Sequence, residues 1–135
     1  MKLHIHGVHV PNRKNTAELA ALRLPIPETV EIPMSMHIGA PAEPVVKKGD
    51  TVMVGTMIGK AGGFVSANVY SSVSGTVQDI APLRMVNGAM ATAVAIKTDG
   101  AQTVDPACVP PVVTDKASLM AAVQACGLVG VGGAG

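Results

Sequence analysis

The sequence predicts a mainly β domain, a small sandwich or barrel of short strands, followed by one helix near the carboxyl end. Three observations predict it. First, short apolar runs recur between Gly, Pro, Asn and Asp turn residues through the middle of the chain, the mark of closely spaced strands. Second, hydrophobic residues make up 48% of the 135 residues, yet the only aromatics are Phe64 and Tyr70. The core must therefore come from Val, Ile, Ala and Met, and β-branched side chains suit a pleated, half-buried surface. Third, "TDKASLMAAVQACG" places Leu119, Met120, Val123 and Cys126 on one face at helical spacing.

Taken in order, residues 1–33 read as an irregular segment, because Pro11, Pro25, Pro27 and Pro33 interrupt every long element, and "LPIPETVEIPMSMHIGAP" reads as extended segments separated by prolines. "TAELAAL", Thr16 to Leu22, predicts a short helix capped by Thr16, too short to stand without tertiary support. Residues 34–100 form the organised domain. "EPVVKK" predicts a strand and "KKGD" a turn in which Gly49 takes positive φ. "TVMVGTMIGKA" predicts a strand broken at Gly55, where a glycine marks a bend or bulge. Two more strands surround Ser71 to Gly75. "MATAVAIKT" predicts another, with Thr92, Val94 and Ile96 on one face and Ala93, Ala95 and Lys97 on the other. Residues 101–113, "AQTVDPACVPPVV", read as a proline-punctuated linker. Residues 114–135 hold the helix, capped by Thr114 or Asp115 and ended by Gly127, and then a glycine loop. The loop reads as the start of a truncated second domain, and the chain as a fragment of a longer protein.

Composition narrows the function classes. A formal net charge of +1 with scattered Lys and Arg, and so few aromatics, argues against nucleic acid as a partner. Two cysteines, Cys108 and Cys126, are too few for a disulfide framework or a four-cysteine metal site, and read as reduced thiols. "MKLHIHGVHVPNRK" lacks the apolar segment of a signal peptide. The uncharged run from Ala117 to Gly135 approaches the ~20 residues of a membrane span, but Ser118, Gln124 and its glycines argue against one.

"KKGDTVMVGTMI" and "SSVSGTV", Ser71 to Val77, resemble the two halves of a biotinyl/lipoyl carrier domain, in which glycines make the turns and valines fill a flattened barrel. The resemblance implies a barrel-sandwich hybrid fold. It also implies a modified lysine at the hairpin between the halves, near "AGGFVSA". Phe64 occupies that position, and Lys60 lies four residues before it beside Gly59. A phenylalanine cannot be acylated, so the scaffold is expected without biotin or lipoate, and Lys60 reads as an ordinary solvated lysine.

The flanking segments "HGVHVPNRK", "LPIPETVEIPMSMHIGAPAEPVVKKGDTV" and "GLVGVGGAG" occur in that order. Together they resemble the amino-terminal part of the RnfC family of the Rnf electron-transport complex, whose relatives include the A subunit of the sodium-pumping NADH:quinone reductase. "HIGAPAEPVVKKGD" is the most specific part. Met36 stands where that family usually has Gln, and "HIHGVHV" lacks its usual double glycine. The resemblance implies an oxidoreductase subunit that moves electrons between NADH, FMN and two four-iron four-sulfur (4Fe-4S) clusters. It implies a cytoplasmic protein held at the inner face of the cell membrane by other members of the complex, with ferredoxin or another redox partner. It places Gly130, Gly132, Gly133 and Gly135 of "GVGGAG" at the start of an FMN/NADH segment, where bare backbone N–H groups could approach a phosphate or ring. Cluster ligands are expected outside these residues, since neither Cys108 nor Cys126 has cluster-type spacing. The piece itself is expected to be catalytically silent and to serve as a scaffold. A second reading, from a different class, is a stand-alone carrier or binding module without redox chemistry.

Other candidates have plainer explanations. His4, His6 and His9 could offer imidazoles to a metal, but Gly7 interrupts them and no carboxylate or thiol is near in sequence. His37, beside Gly39 and Pro41, reads as a structural histidine at a turn. Met34, Met36, Met53, Met57, Met85 and Met90 read as core gap-fillers, and Asp50 as a turn residue whose carboxylate accepts from backbone N–H groups.

Overall fold

The computed structural model describes Gly7 and residues 10–130. Among the described residues, seven strands form two antiparallel sheets around one core. They are β1 (Thr29–Pro33), β2 (Glu43–Pro44), β3 (Thr51–Val52), β4 (Met57–Lys60), β5 (Val69–Tyr70), β6 (Gly75–Arg84) and β7 (Met90–Thr98), and the helix α1 (Lys116–Ala125) follows them. One sheet has the order β1-β7-β6-β3 and the other β2-β4-β5. Both contribute to a single cluster: Ile32 from β1, Val52 from β3, Ile58 from β4, Val69 from β5, Val77 from β6, and Val94 and Ile96 from β7. The core is thus built from Val, Ile, Ala and Met, with neither aromatic in it. Each fully buried Val or Ile contributes about 1.5–3 kcal/mol of transfer free energy.

The two carrier-like segments lie side by side. Gly49 (φ +92°) makes the turn after Lys47, and the Asp50 carboxylate accepts from the Lys47 N–H at 2.9 Å. The turn is then tied across to the second segment. Gly49 N–H donates to Val77 O, and Val77 N–H donates to Asp50 O, both at 2.9 Å. Thr51 pairs with Thr76 and Val52 with Gly75. Val52 and Val77 are each only 1% exposed, so the repeated valines do fill the barrel.

Several expectations change in detail. β1 lies in the part of residues 1–33 read as extended between prolines, and forms a full edge strand. Residues Thr29 to Pro33 pair along their whole length with Ala93 to Lys97, and Pro33 is tolerated because it ends an edge strand. "TAELAAL" forms turns, with Ala17 N–H donating to Lys14 O and Leu19 N–H to Thr16 O, and no helix. Its residues are exposed, so nothing offsets the cost of nucleating a helix. Of the methionines expected in the core, Met34 is buried, whereas Met36, Met57 and Met90 are exposed because they fall on turns and strand faces outside the barrel. In β7, Val94 and Ile96 are buried on the face they share, while Thr92 of that face is exposed and Ala93 of the other is buried. A bulge at Gln78, between the pairs Val77–Ile96 and Asp79–Ala95, adds twist where β6 leaves the core.

Residues 101–108 are stapled to the barrel. Val104 bridges Val54 in parallel, Val54 N–H donates to Thr103 O, and Asp105 N–H donates to Val54 O. No helix among the described residues is long and apolar enough to cross a membrane.

Candidate functional site

The β4–β5 connection, residues 61–68, is where a carrier domain would display its lysine. Phe64 stands at its tip and is 98% exposed. Lys60 ends β4, exposed, opposite Glu43 in register. The loop is fastened from within and from behind. Within it, Ala61 N–H donates to Asn68 Oδ1 at 2.9 Å and Gly62 N–H to Ser66 Oγ at 3.0 Å. From behind, the "HIGAP" segment, residues 37–41, acts as a brace. Ala40 N–H donates to Val65 O at 2.9 Å, and Ser66 Oγ–H donates to Ala40 O at 2.8 Å. His37 Nδ1–H donates to Ile38 O at 2.8 Å, and its Nε2 accepts from Ala67 N–H at 3.1 Å. That pair of bonds requires the neutral Nδ1–H tautomer, so His37 has a structural role at this turn. Gly39 (φ +87°) lets the two segments meet, because a Cβ there would collide with the Val65 carbonyl oxygen.

The helix closes the other side. Asp115 is its N-cap, and its carboxylate accepts from Ser118 N–H at 2.7 Å in a capping box with Ser118. At the other end Gly127 N–H donates to Gln124 O and Leu128 N–H to Val123 O, the two bonds of a Schellman ending, with Gly127 at φ +64°. The Ala125 carbonyl, unpaired within the helix, accepts from the Tyr70 hydroxyl and from Asn68 Nδ2. These contacts fix α1 to the sheet by its last turn. No residue of α1 is buried.

Between hairpin tip and helix lies a cleft of about 550 Å³. Ile38, Phe64 and Val65 form one wall, and Met120, Val123 and Leu128 the other. Among the described residues, His37 is the only titratable side chain in its lining, and no lysine or arginine reaches it. Gly130 lies at its edge, exposed.

Charge is managed away from the cleft. Asp105 is held below the usual carboxylate range, first by the Thr56 hydroxyl at 2.6 Å and then by Ala107 N–H. Asp99 is lowered first by the Ser74 hydroxyl at 2.6 Å and then by Ala101 N–H, and Asp115 by the backbone and side chain of Ser118. Each is a structural latch that joins turns or caps the helix.

A family profile described as "RnfC Barrel sandwich hybrid domain" matches residues 3–101. This chain belongs to the RnfC barrel-sandwich family. It is 44% identical over 133 residues to the C subunit of the Na+-translocating ferredoxin:NAD+ oxidoreductase complex of Acetobacterium woodii, a match covering 95% of this chain and 30% of that protein. It is 45% identical over 95 residues to the C subunit of the proton-translocating ferredoxin:NAD+ oxidoreductase complex of Clostridium ljungdahlii, over 70% of this chain and 21% of that protein. To the C subunit of the ion-translocating oxidoreductase complex of Rhodobacter capsulatus it is 35% identical over 136 residues, covering 95% and 26%. The chain therefore spans 30% or less of the length of these curated relatives.

In this RnfC-type barrel the positions singled out from sequence separate. Of the glycine loop, Gly130 is described and borders the cleft, while Gly132, Gly133 and Gly135 lie outside the described residues, as do His4, His6 and His9. Gly130 carries no side chain to obstruct a flavin, but the apolar cleft beside it offers no cation to a phosphate among the described residues. Cys108 is exposed, and a Cβ on Gly55 would crowd its side chain; Cys126 caps α1. Neither joins a group of three or more metal-binding side chains among the described residues. Sequence reasoning missed the cleft and its brace. Both depend on contacts between segments 25 or more residues apart, such as Ser66 with Ala40 and Tyr70 with Ala125. The advance signals were the turn residues Gly39 and Pro41 beside His37, and the fact that the carrier-type pattern does not demand "HIGAP".

Proposed function

We propose that this chain is the barrel-sandwich part of an RnfC protein in an ion-translocating ferredoxin:NAD+ oxidoreductase complex, where it serves as a rigid scaffold and carries no swinging cofactor. The observation behind the scaffold role is the braced hairpin. Its tip bears Phe64 in place of an acylatable amine, and the "HIGAP" segment holds the loop at Val65, Ser66 and Ala67. A carrier needs an exposed lysine on a turn that a ligase can enclose, and a loop bonded along its length to a second segment is poorly suited to that.

In this reading, residues 34–100 are the scaffold, 101–113 a tether laid along it, and 114–135 the entry to an FMN- and NADH-binding domain. Gly130, Gly132, Gly133 and Gly135 would present backbone N–H groups to FMN. When bound, FMN supplies the exchange between the two-electron chemistry of NADH and the one-electron chemistry of iron–sulfur clusters. Two 4Fe-4S clusters would be held by cysteines of the longer protein, and partner subunits would hold the assembly at the inner face of the membrane. The names of the Acetobacterium and Clostridium relatives support one part of this reading, a C subunit of an ion-translocating ferredoxin:NAD+ oxidoreductase complex.

The test uses the longer protein. Purified, it should contain flavin and oxidise NADH, and replacing Gly132 and Gly133 together with valine should lower flavin content several-fold. Unchanged flavin content removes the glycine loop from the site. Intact mass after co-expression with biotin and lipoate ligases should equal the unmodified value, and a gain of one prosthetic group would reverse the scaffold reading.

A further inference from the structure

The cleft between hairpin and helix serves no evident purpose in the barrel's own packing. Phe64 is 98% exposed on one rim, and Met120, 62% exposed, and Leu128, 65% exposed, lie on the other. Grouped apolar side chains of this kind mark an interaction surface rather than scattered exposure. Among the described residues no Lys, Arg, Asp or Glu lines the cleft, and both ring nitrogens of His37 are already engaged by Ile38 and Ala67. The surface thus selects an uncharged, apolar occupant. It is also preformed. One wall is braced by residues 37–41, and the other is anchored through Tyr70 and Asn68 to Ala125.

The chain itself indicates the occupant. Leu128, Val129 and Gly130 belong to the lining, so the last described residues of the polypeptide run along the cleft. A segment tethered within a few residues of its site has an effective concentration of order millimolar, ahead of any free partner of similar affinity. The Acetobacterium relative has 70% of its length outside the match, from 100% less the 30% covered. Resting on the reading that this chain is part of a longer protein, we infer that the cleft is an intramolecular docking groove. It is filled by an uncharged, apolar segment of the same polypeptide beyond residue 135, which seats the next domain on the barrel.

Hydrogen exchange on the longer protein tests this, with the wild type compared to Phe64→Asp, Met120→Asp and, as a control on the distant β6–β7 turn, Val86→Asp. In the wild type, amides of residues 119–124 should be protected. Phe64→Asp and Met120→Asp should each speed their exchange at least ten-fold, while Val86→Asp leaves it unchanged and Val94 and Ile96 stay protected in all variants. Equal exchange in wild type and both cleft variants overturns the inference. Protection that appears only when partner subunits are added also overturns it, because the occupant is then another chain. If the longer protein lacks flavin and binds no redox partner, yet the cleft variants behave as expected, the docking groove stands and the oxidoreductase reading falls.

Discussion

Gly39 shows how much one backbone position can carry. Its φ of +87° and its approach to Val65 O leave no room for a side chain. Gly39→Ala should cost at least about 1–2 kcal/mol from the left-handed backbone alone, before the clash is counted. The check is a lower urea midpoint with an unchanged slope. Asp105 makes a different kind of contribution. Its folded carboxyl lies below the ordinary value of 3.8 because the Thr56 hydroxyl and Ala107 N–H bond its charged form. A depressed carboxyl adds stability that is present above its unfolded pKa and lost as pH falls through the folded one. The stability gap between wild type and Asp105→Asn should therefore be constant from about pH 5 to 8 and narrow below about pH 4. Denaturant titrations at several pH values measure it, and a gap unchanged at about pH 2.5 would remove the Thr56 latch as its source. The short-range half of this latch could be read in advance, since "DPA" is an Asx-turn pattern. Thr56, 49 residues away, could not.

Among the elements, the strands and the helix differ in what holds them. β4 supplies Ile58, with 0% exposure, to the shared core, so Ile58→Ala should cost about 2–5 kcal/mol as transfer and cavity terms combine. Calorimetry or chemical denaturation would show it as a marginal or unfolded domain. α1 buries none of its residues and rests on its caps and on the bonds at Ala125. Tyr70→Phe removes one of these. It should leave the barrel's unfolding midpoint nearly unchanged, at a cost of about 0.5–1.5 kcal/mol to helix docking, and it should speed exchange of the helix amides. A shift of the barrel midpoint as large as that of Ile58→Ala would mean that the helix and barrel unfold as one unit. The helix bounds were legible because capping chemistry is local. "TDKAS" holds the N-cap and its partner three residues apart, and "ACG" holds the ending. The short helix expected at Thr16–Leu22 failed for the complementary reason. Its pattern was local too, but its residues are exposed and pack on no apolar surface among the described residues.

In the molecule as a whole, the hairpin on which a carrier domain would display its lysine is bonded to the 37–41 segment. The "GDTV" and "SGTV" segments, the strand at "MATAVAIKT" and an aliphatic core were all written in the chain, as turn residues and alternating valines whose effect reaches only a few neighbours. So were the missing lysine at Phe64 and the likeness to RnfC proteins, which are matters of residue identity at fixed spacing. The pairing of Thr29–Pro33 with β7 was not, nor was the stapling of Val104 to Val54, the brace of residues 37–41 on the hairpin, or the cleft that α1 completes. Each joins segments tens of residues apart. The closure entropy of such loops varies only slowly with length, so no local signal marks which distant segments will meet. Those contacts are selected by the packing of the finished barrel, which is why the scaffold could be read from the residues and the groove on its surface only from the folded chain.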